Sequence, residues 1–408
     1  MPAFAFLPFP SQLVGKRKLR LENDFAEGPT AVAFAADGTL HLLCEVFYNA
    51  HRYKEPESND LHGHYVIRFG ADLGAARITP ETALTDAVAE GSYDALVDLA
   101  VVSEGLLFMT RGGRSWLVDH EGAIRRAFAF DDWGDKPRMY RENLACRACV
   151  RPDGRVVIAV AEASSNMTAN VLAVSVEPKP KFVAGQPAFR YLTSIEDLDI
   201  GDDETTAGIP YVSLANGKPL VRTQRPKPTL ADAPGAPGYS TSLGGLAALT
   251  NEITLVALFV GRYSRVSNFQ YALIDDAGAF VASLDLDGDS PYEDHQLGIA
   301  ADPRHGRAIV KTKSRIHVFD DRGRTIARVS LVEAVRKPLA AFHLLGASPA
   351  GEILLWHKKH RTLLLVDATR DVAALPDALT AAAEHYKIAL AAAKKVYKPV
   401  NARWVVKP

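Results

Sequence analysis

The chain has 408 residues, 48% of them hydrophobic and 23% charged. That supports a large buried core, and it is too long for one simple layered domain unless the fold is a repeat or a barrel. A formal net charge of -1 gives no bulk attraction to nucleic acid or to acidic partners. Three cysteines, Cys44, Cys146 and Cys149, are too few for a disulfide framework and fit a reducing, cytoplasmic setting.

The first residues, MPAFAFLPFPSQLVGKRKLR, are apolar first and basic second, the reverse of a secretory signal, and Pro2, Pro8 and Pro10 would break its apolar helix. Without a run of about 18 apolar residues, no membrane span is expected. Residues 1–28 read as an arm. Within it Val14–Leu21 is the expected edge or closing strand, and Ala402–Val406 is the second candidate for that role.

From Thr30 onward, short apolar runs alternate with tight turns. Thr30–Glu45 turns at Asp37-Gly38, and its partner strand, Tyr65–Phe69, follows a polar insertion over 47–64. A second unit begins at Val97, turns at Glu104-Gly105 and continues through Leu106–Thr110 and Trp116–Asp119. A third, Arg147–Ala161, turns at Pro152-Asp153-Gly154 and is partnered by Val171–Ser175. Residues 176–240 carry only one hairpin signal, Asn216-Gly217. The pattern returns at Gly245–Val260 with Phe269–Asp275. His295–Leu331 is the clearest unit, four short strands joined by turns, and Leu344–His357 with Leu363–Asp367 is the last.

Gly38, Gly105, Gly154, Gly306 and Gly351 mark units spaced by roughly 50 residues, the length of a four-stranded blade with one longer loop. The expected fold is therefore an all-β propeller over residues 29–370, with seven blades favoured over six, the seventh filling the gap near Asn216-Gly217. Pro376–Lys395 has helical composition, and Leu379, Ala383, Tyr386, Leu390, Ala393 and Tyr397 make one apolar stripe. Residues 371–408 thus form a C-terminal helix and tail that either packs on the propeller or docks a partner.

Gly298-Ile299-Ala300-Ala301-Asp302-Pro303 and Arg315-Ile316-His317-Val318-Phe319-Asp320 resemble the NHL repeat. That resemblance implies a propeller, often an interaction platform and in some cases an RNA binder. Ala26-Glu27-Gly28-Pro29 followed by Ala36-Asp37-Gly38-Thr39-Leu40 is similar to the opening motif of the SMP-30/gluconolactonase family, six-bladed metal-dependent lactonases. By that match Glu27 is a metal ligand. The family's later amide and carboxylate ligands have no counterpart: Leu297-Gly298 or Cys146-Arg147 stands for the Asn-Gly, and Lys311-Thr312 for the late Asp.

Asp285, Asp287, Asp289 and Glu293 alternate within DLDGDSPYED, a loop that resembles the calcium loops found between strands of other propellers. Calcium takes six or more oxygens from such a loop, so these four are its expected ligands, against the alternative of a solvated acidic turn. His62 and His64 are a zinc pair only if the first-blade loop is more than an exposed polar segment. Cys146 and Cys149, three apart on an extended strand, face opposite sides and read as free thiols.

The loops between second and third strands open on one face of a propeller, and here they carry Arg111, Arg114, Arg262, Arg265, Lys311, Lys313, Arg315, His357 and Lys358. Such a basic face suits a protein partner or an anionic ligand, with nucleic acid as one form of the latter. Tyr53, Tyr140, Tyr263 and Trp356 would be placed to stack on bases or pack an interface. No GxSxG, GxxxxGK[ST] or HExxH motif is present. The sequence therefore leaves two readings: a non-catalytic scaffold with a basic face, and a metal-dependent hydrolase or lactonase.

Overall fold

The structure, a computed structural model, describes residues 4–9, 13–15, 25–48, 61–71, 76–80, 96–110, 114–119, 123–129, 144–154, 156–163, 169–176, 239–262, 265–274, 280–287, 289, 298–358, 360–396 and 402–404. Two short strands come first, β1 (Phe4–Pro8) and β2 (Leu13–Gly15). The first blade is β3 (Phe25–Phe34), β4 (Leu40–Tyr48), β5 (Leu61–Phe69) and β6 (Ala76–Pro80). The second is β7 (Leu96–Val102), β8 (Gly105–Thr110), β9 (Arg114–Val118) and β10 (Ile124–Ala129). A three-stranded sheet follows: β11 (Leu144–Val150), β12 (Val156–Ala163) and β13 (Ala169–Val176). Then come β14 (Tyr239–Ala248), β15 (Thr254–Arg262), β16 (Arg265–Ile274) and β17 (Phe280–Ser283). The next blade is β18 (Ile299–Asp302), β19 (Arg307–Lys311), β20 (Arg315–Phe319) and β21 (Thr325–Ser330). The last strands are β22 (His343–Ala347), β23 (Glu352–His357) and β24 (Thr362–Asp367), followed by helix α1 (Leu375–Val396) and β25 (Ala402–Trp404).

The fold is an all-β propeller with one C-terminal helix. Five blades are complete with four strands among the described residues, beside the three-stranded sheet β11–β13, in place of the seven or six expected. The expected hairpin at Asn216-Gly217 lies outside the described residues. The inner strands touch in turn, β3 to β7, β11, β14, β18, β22 and back to β3, so they form a closed ring.

Closure also departs from expectation. β1, not Val14–Leu21, supplies the fourth strand of the last blade, pairing antiparallel with β24 from Phe4↔Val366 to Pro8↔Thr362. β2, which shares only Val14 and Gly15 with the first expected segment, pairs with β25, Leu13↔Trp404, and the remainder of that segment, 16–21, lies outside the described residues. The reason is side-chain chemistry. Leu7 enters an apolar cluster that joins Leu40, Leu42, Ile67 and Phe69 of the first blade to Leu354, Trp356, Leu363 and Leu365 of the last. Phe9 packs on Trp356 with ring centroids 4.6 Å apart. Phe6 stacks on Tyr386 of α1 at 5.9 Å and on His385 at 5.6 Å. A Lys- and Arg-bearing segment such as 14–21 could not fill those places without burying charge.

The turn glycines Gly38, Gly105, Gly154, Gly306 and Gly351 all take positive φ, as hairpin turns demand. Gly351 is tightly held: at φ 88, an added Cβ would press on Thr369 Oγ1 and lie 3.0 Å from Asp302 Oδ2. Buried Asp302 accepts from the Thr369 hydroxyl and, at 2.9 Å, from the Arg304 N–H, and its Oδ2 lies 2.6 Å from His305 Nδ1. The Thr369 contact ties its blade to the next. Arg151 does the same between the three-stranded sheet and the following blade, donating to the Asn251 carbonyl at 2.9 Å.

The helix reads as its stripe predicts over the described part. Leu375, Ala378, Leu379, Ala382, Ala383 and Tyr386 are buried in one core with Val329, Leu331, Phe342, Leu355 and Val366. Full burial of a leucine such as Leu379 contributes about 1.5–3 kcal/mol, enough to make this packing rather than intrinsic propensity the reason the helix stays docked.

β19 ends in Lys311, whose side chain is buried although its sequence neighbourhood is polar. Its ammonium donates to the carbonyls of Thr312 and Ala340, both at 3.2 Å. Burial pulls its pKa down to about 7, against an opposing pull from Asp289.

Two outcomes follow from this packing. Leu7→Ala should lower stability by about 2–4 kcal/mol, read as a shift of the urea midpoint; an unmoved midpoint would show that β1 does not close the ring. Between about pH 7 and the ordinary lysine pKa of 10.5 the unfolded chain binds the Lys311 proton and the fold does not. Lys311 therefore makes stability rise with pH across that window and fall as pH drops through it. Lys311→Met should flatten the pH dependence of unfolding free energy between pH ~7 and ~9 relative to the wild type, whatever it does to the midpoint at one pH.

Candidate functional site

Two places bring chemistry-bearing residues together: the loop face and the central channel. On the loop face the β19–β20 turn is built around Asp289. Its carboxylate accepts from the hydroxyls of Thr312 and Ser314, and His317 Nε2 lies 3.2 Å away. Burial works against the charge of Asp289, yet the hydrogen bonds from Ser314, Thr312 and His317 outweigh it and hold the carboxyl below the usual range. Burial shifts His317 the other way, lowering its pKa, with Asp289 opposing. The Thr312 Oγ1 also receives the N–H of Arg315 at 2.9 Å, which closes the turn. Lys313, between the two pinned hydroxyl residues, is exposed, and Arg315 is half-buried.

The other expected cations divide. Arg114 begins β9, and Arg262 and Arg265 face each other directly across the β15–β16 turn, so all three stand at the same end of their blades as Lys313. Arg111 lies outside the described residues. Lys358 is exposed. His357 is buried: it stacks on His360 at 4.3 Å, meets the edge of Phe342 at 5.0 Å, and its Nδ1 accepts the His360 N–H at 3.1 Å. His360 in turn is hydrogen-bonded to the Tyr386 hydroxyl of α1. The helix therefore covers this histidine, and with it part of the β23–β24 loop.

Among the described residues of the acidic loop, Asp285, Asp287 and Asp289 make separate contacts. Asp285 Oδ1 accepts the Asp287 N–H at 2.7 Å, an internal turn. Asp287, in the left-handed region at φ 56, is exposed and lies 3.4 Å from Arg328. Asp289 is engaged by Thr312, Ser314 and His317, and Glu293 lies outside the described residues. Among the described residues no group of three or more His, Cys, Asp or Glu side chains could hold a metal ion. Asp289 thus serves the neighbouring turn.

The channel has a volume of about 290 Å³ and is walled by the six inner strands. Four of these carry a β-bulge at the same level, at Thr30, Val97, Gly244 and Leu345. A bulge bends the strand and re-aims the residue beside it; in β7 that residue is Asp98. One oxygen of Asp98 accepts the Leu99 N–H at 2.9 Å, the other the Ala148 N–H of β11 at 2.8 Å. Burial raises its pKa to about 6, against the Arg147 charge and those two N–H groups. Cys149 is also in the lining, and burial pushes its thiol pKa up, so it stays protonated.

Asp98 is the one carboxylate among the described lining residues. Both its oxygens are engaged and a guanidinium stands beside it, so this donor set does not fit a divalent cation, which needs several free oxygens. Glu27 lies in β3 opposite Val46. Sequence reasoning missed Asp98; its only signal was an acidic residue inside an apolar run.

No protein-family model matches the chain, and no curated protein matches it. Similar solved structures are propellers. Regucalcin from Agrobacterium tumefaciens, a calcium-binding protein, is 10% identical with a TM-score of 0.41, over 88% of this chain and 94% of that one. The gluconolactonase XC5397 from Xanthomonas campestris is 11% identical with a TM-score of 0.40, over 90% of this chain and 98% of that one. The Pan2 WD40 domain of Neurospora crassa is 11% identical with a TM-score of 0.36, over 83% and 89%.

Proposed function

We propose that the protein is a non-catalytic interaction scaffold that presents the loops after each blade's second strand to a protein partner with an acidic surface. The observation that carries this reading is the β19–β20 turn, where exposed Lys313 stands between two hydroxyls fixed on Asp289. A cation on an already ordered turn loses little freedom on binding, which leaves more of the interaction energy for affinity. Exposed Lys358 and the strand-end positions of Arg114, Arg262 and Arg265 support the same face. Positive charge gathered on one face of a nearly neutral chain steers an acidic partner to that face. The hydrolase alternative would need carboxylate and amide ligands at the channel, where the described lining offers Asp98 alone, already hydrogen-bonded.

The test is titration with labelled poly-L-glutamate, with a single-stranded oligonucleotide in parallel. The wild type should bind polyglutamate more tightly than the oligonucleotide, and more weakly as salt is added. Lys313→Glu combined with Lys358→Glu should weaken polyglutamate binding by about tenfold or more, a loss of about 1.4 kcal/mol. Equal affinity of variant and wild type would overturn the basic-face reading; preference for the oligonucleotide would make nucleic acid the partner.

A further inference from the structure

The central channel combines features that the loop face does not use. Asp98 and Arg147 sit on adjacent inner strands, and the N–H that Asp98 accepts from Ala148 belongs to the peptide joining Arg147 to Ala148. The guanidinium stem therefore starts beside the carboxylate. Both residues line the channel and are half-buried. Each carboxylate oxygen has taken one N–H and can accept a second hydrogen bond. Across the ring, β18 and β22 line the channel with apolar residues, among them Ile299 and Leu345.

We propose that this channel binds a small zwitterion with an apolar side chain, of the α-amino acid type. Its ammonium would sit on Asp98, its carboxylate on Arg147 and its side chain against the Ile299 wall. A lone cation or a lone anion would be attracted by one member of the pair and repelled by the other, whereas a zwitterion laid alongside meets two opposite charges. The volume of about 290 Å³ lies at the small end of ligand cavities and limits the occupant to such a size. Burial around Asp98 lowers the local dielectric, which strengthens a pairing with a ligand ammonium. The protonated Cys149 thiol adds a weakly polar wall that does not compete for either charge.

The test is calorimetric titration and thermal melting of the full chain with L-leucine, leucinamide and N-acetyl-L-leucine. L-leucine should bind and raise the melting temperature at millimolar concentration. Leucinamide, lacking the carboxylate, and N-acetyl-L-leucine, lacking the ammonium, should each bind about tenfold more weakly or worse. Arg147→Met should abolish the response to L-leucine, and Asp98→Asn, whose amide oxygen can still accept the Ala148 N–H, should weaken it by a similar factor. No response of the folded wild type to L-leucine or L-phenylalanine would overturn the proposal, and so would equal binding of leucinamide and L-leucine. If either variant fails to fold, the three ligands on the wild type decide the matter alone.

Discussion

The structure depends on the antiparallel pairing of β1 with β24. A propeller is a ring of sheets, and each blade covers the apolar face of its neighbours, so an incomplete last blade leaves two faces wet rather than one. Leu7 completes the cluster between the last and first blades, and Phe4 and Phe6 complete the seat of α1. Sheet closure and helix docking are therefore a single event, because the same five-residue strand supplies both.

Around that closed ring, buried polar groups tie blade to blade. Asp302 reaches Thr369, Arg151 reaches Asn251 and Asp98 reaches Ala148, each across a blade boundary. Hydrogen bonds to charged groups in a low-dielectric interior are worth more than neutral ones, and they fix register where apolar contact alone permits sliding. Asp289 acts similarly within one blade and its preceding loop, which is why a carboxylate that looks available in sequence is committed in the fold.

The blade pattern was legible because its determinants are local. Turn glycines at positive φ and apolar runs such as Ala308–Val310 announce strands and turns without reference to distant residues. The apolar stripe of α1 was legible for the same reason. The closing strand was not: FAFLP does not alternate, and its fitness as a strand lies in partners more than three hundred residues away, at Thr362–Val366. The surroundings of the candidate residues depend on distant partners in the same way. Asp285, Asp287 and Asp289 share a spacing but not a direction, since Asp289 turns to Thr312 and Ser314. His357 looks like a loop cation until Tyr386 and Phe342 are folded over it. Asp98 needs a bulge in its own strand and an N–H from the next, and neither is written in its neighbourhood.

The sequence separation of β1 and β24 has a consequence for biosynthesis. A ribosome releases Phe4–Pro8 more than three hundred residues before Thr362–Asp367, so the earlier strand has no mate while everything between them is synthesised. Throughout that interval Phe4, Phe6 and Leu7 lack the partners that cover them in the fold. Such an apolar segment is a natural recognition point for the chaperones that hold nascent polypeptides. The last blade closes only after β24 has emerged, at the cost of a very long loop closure and a slow step.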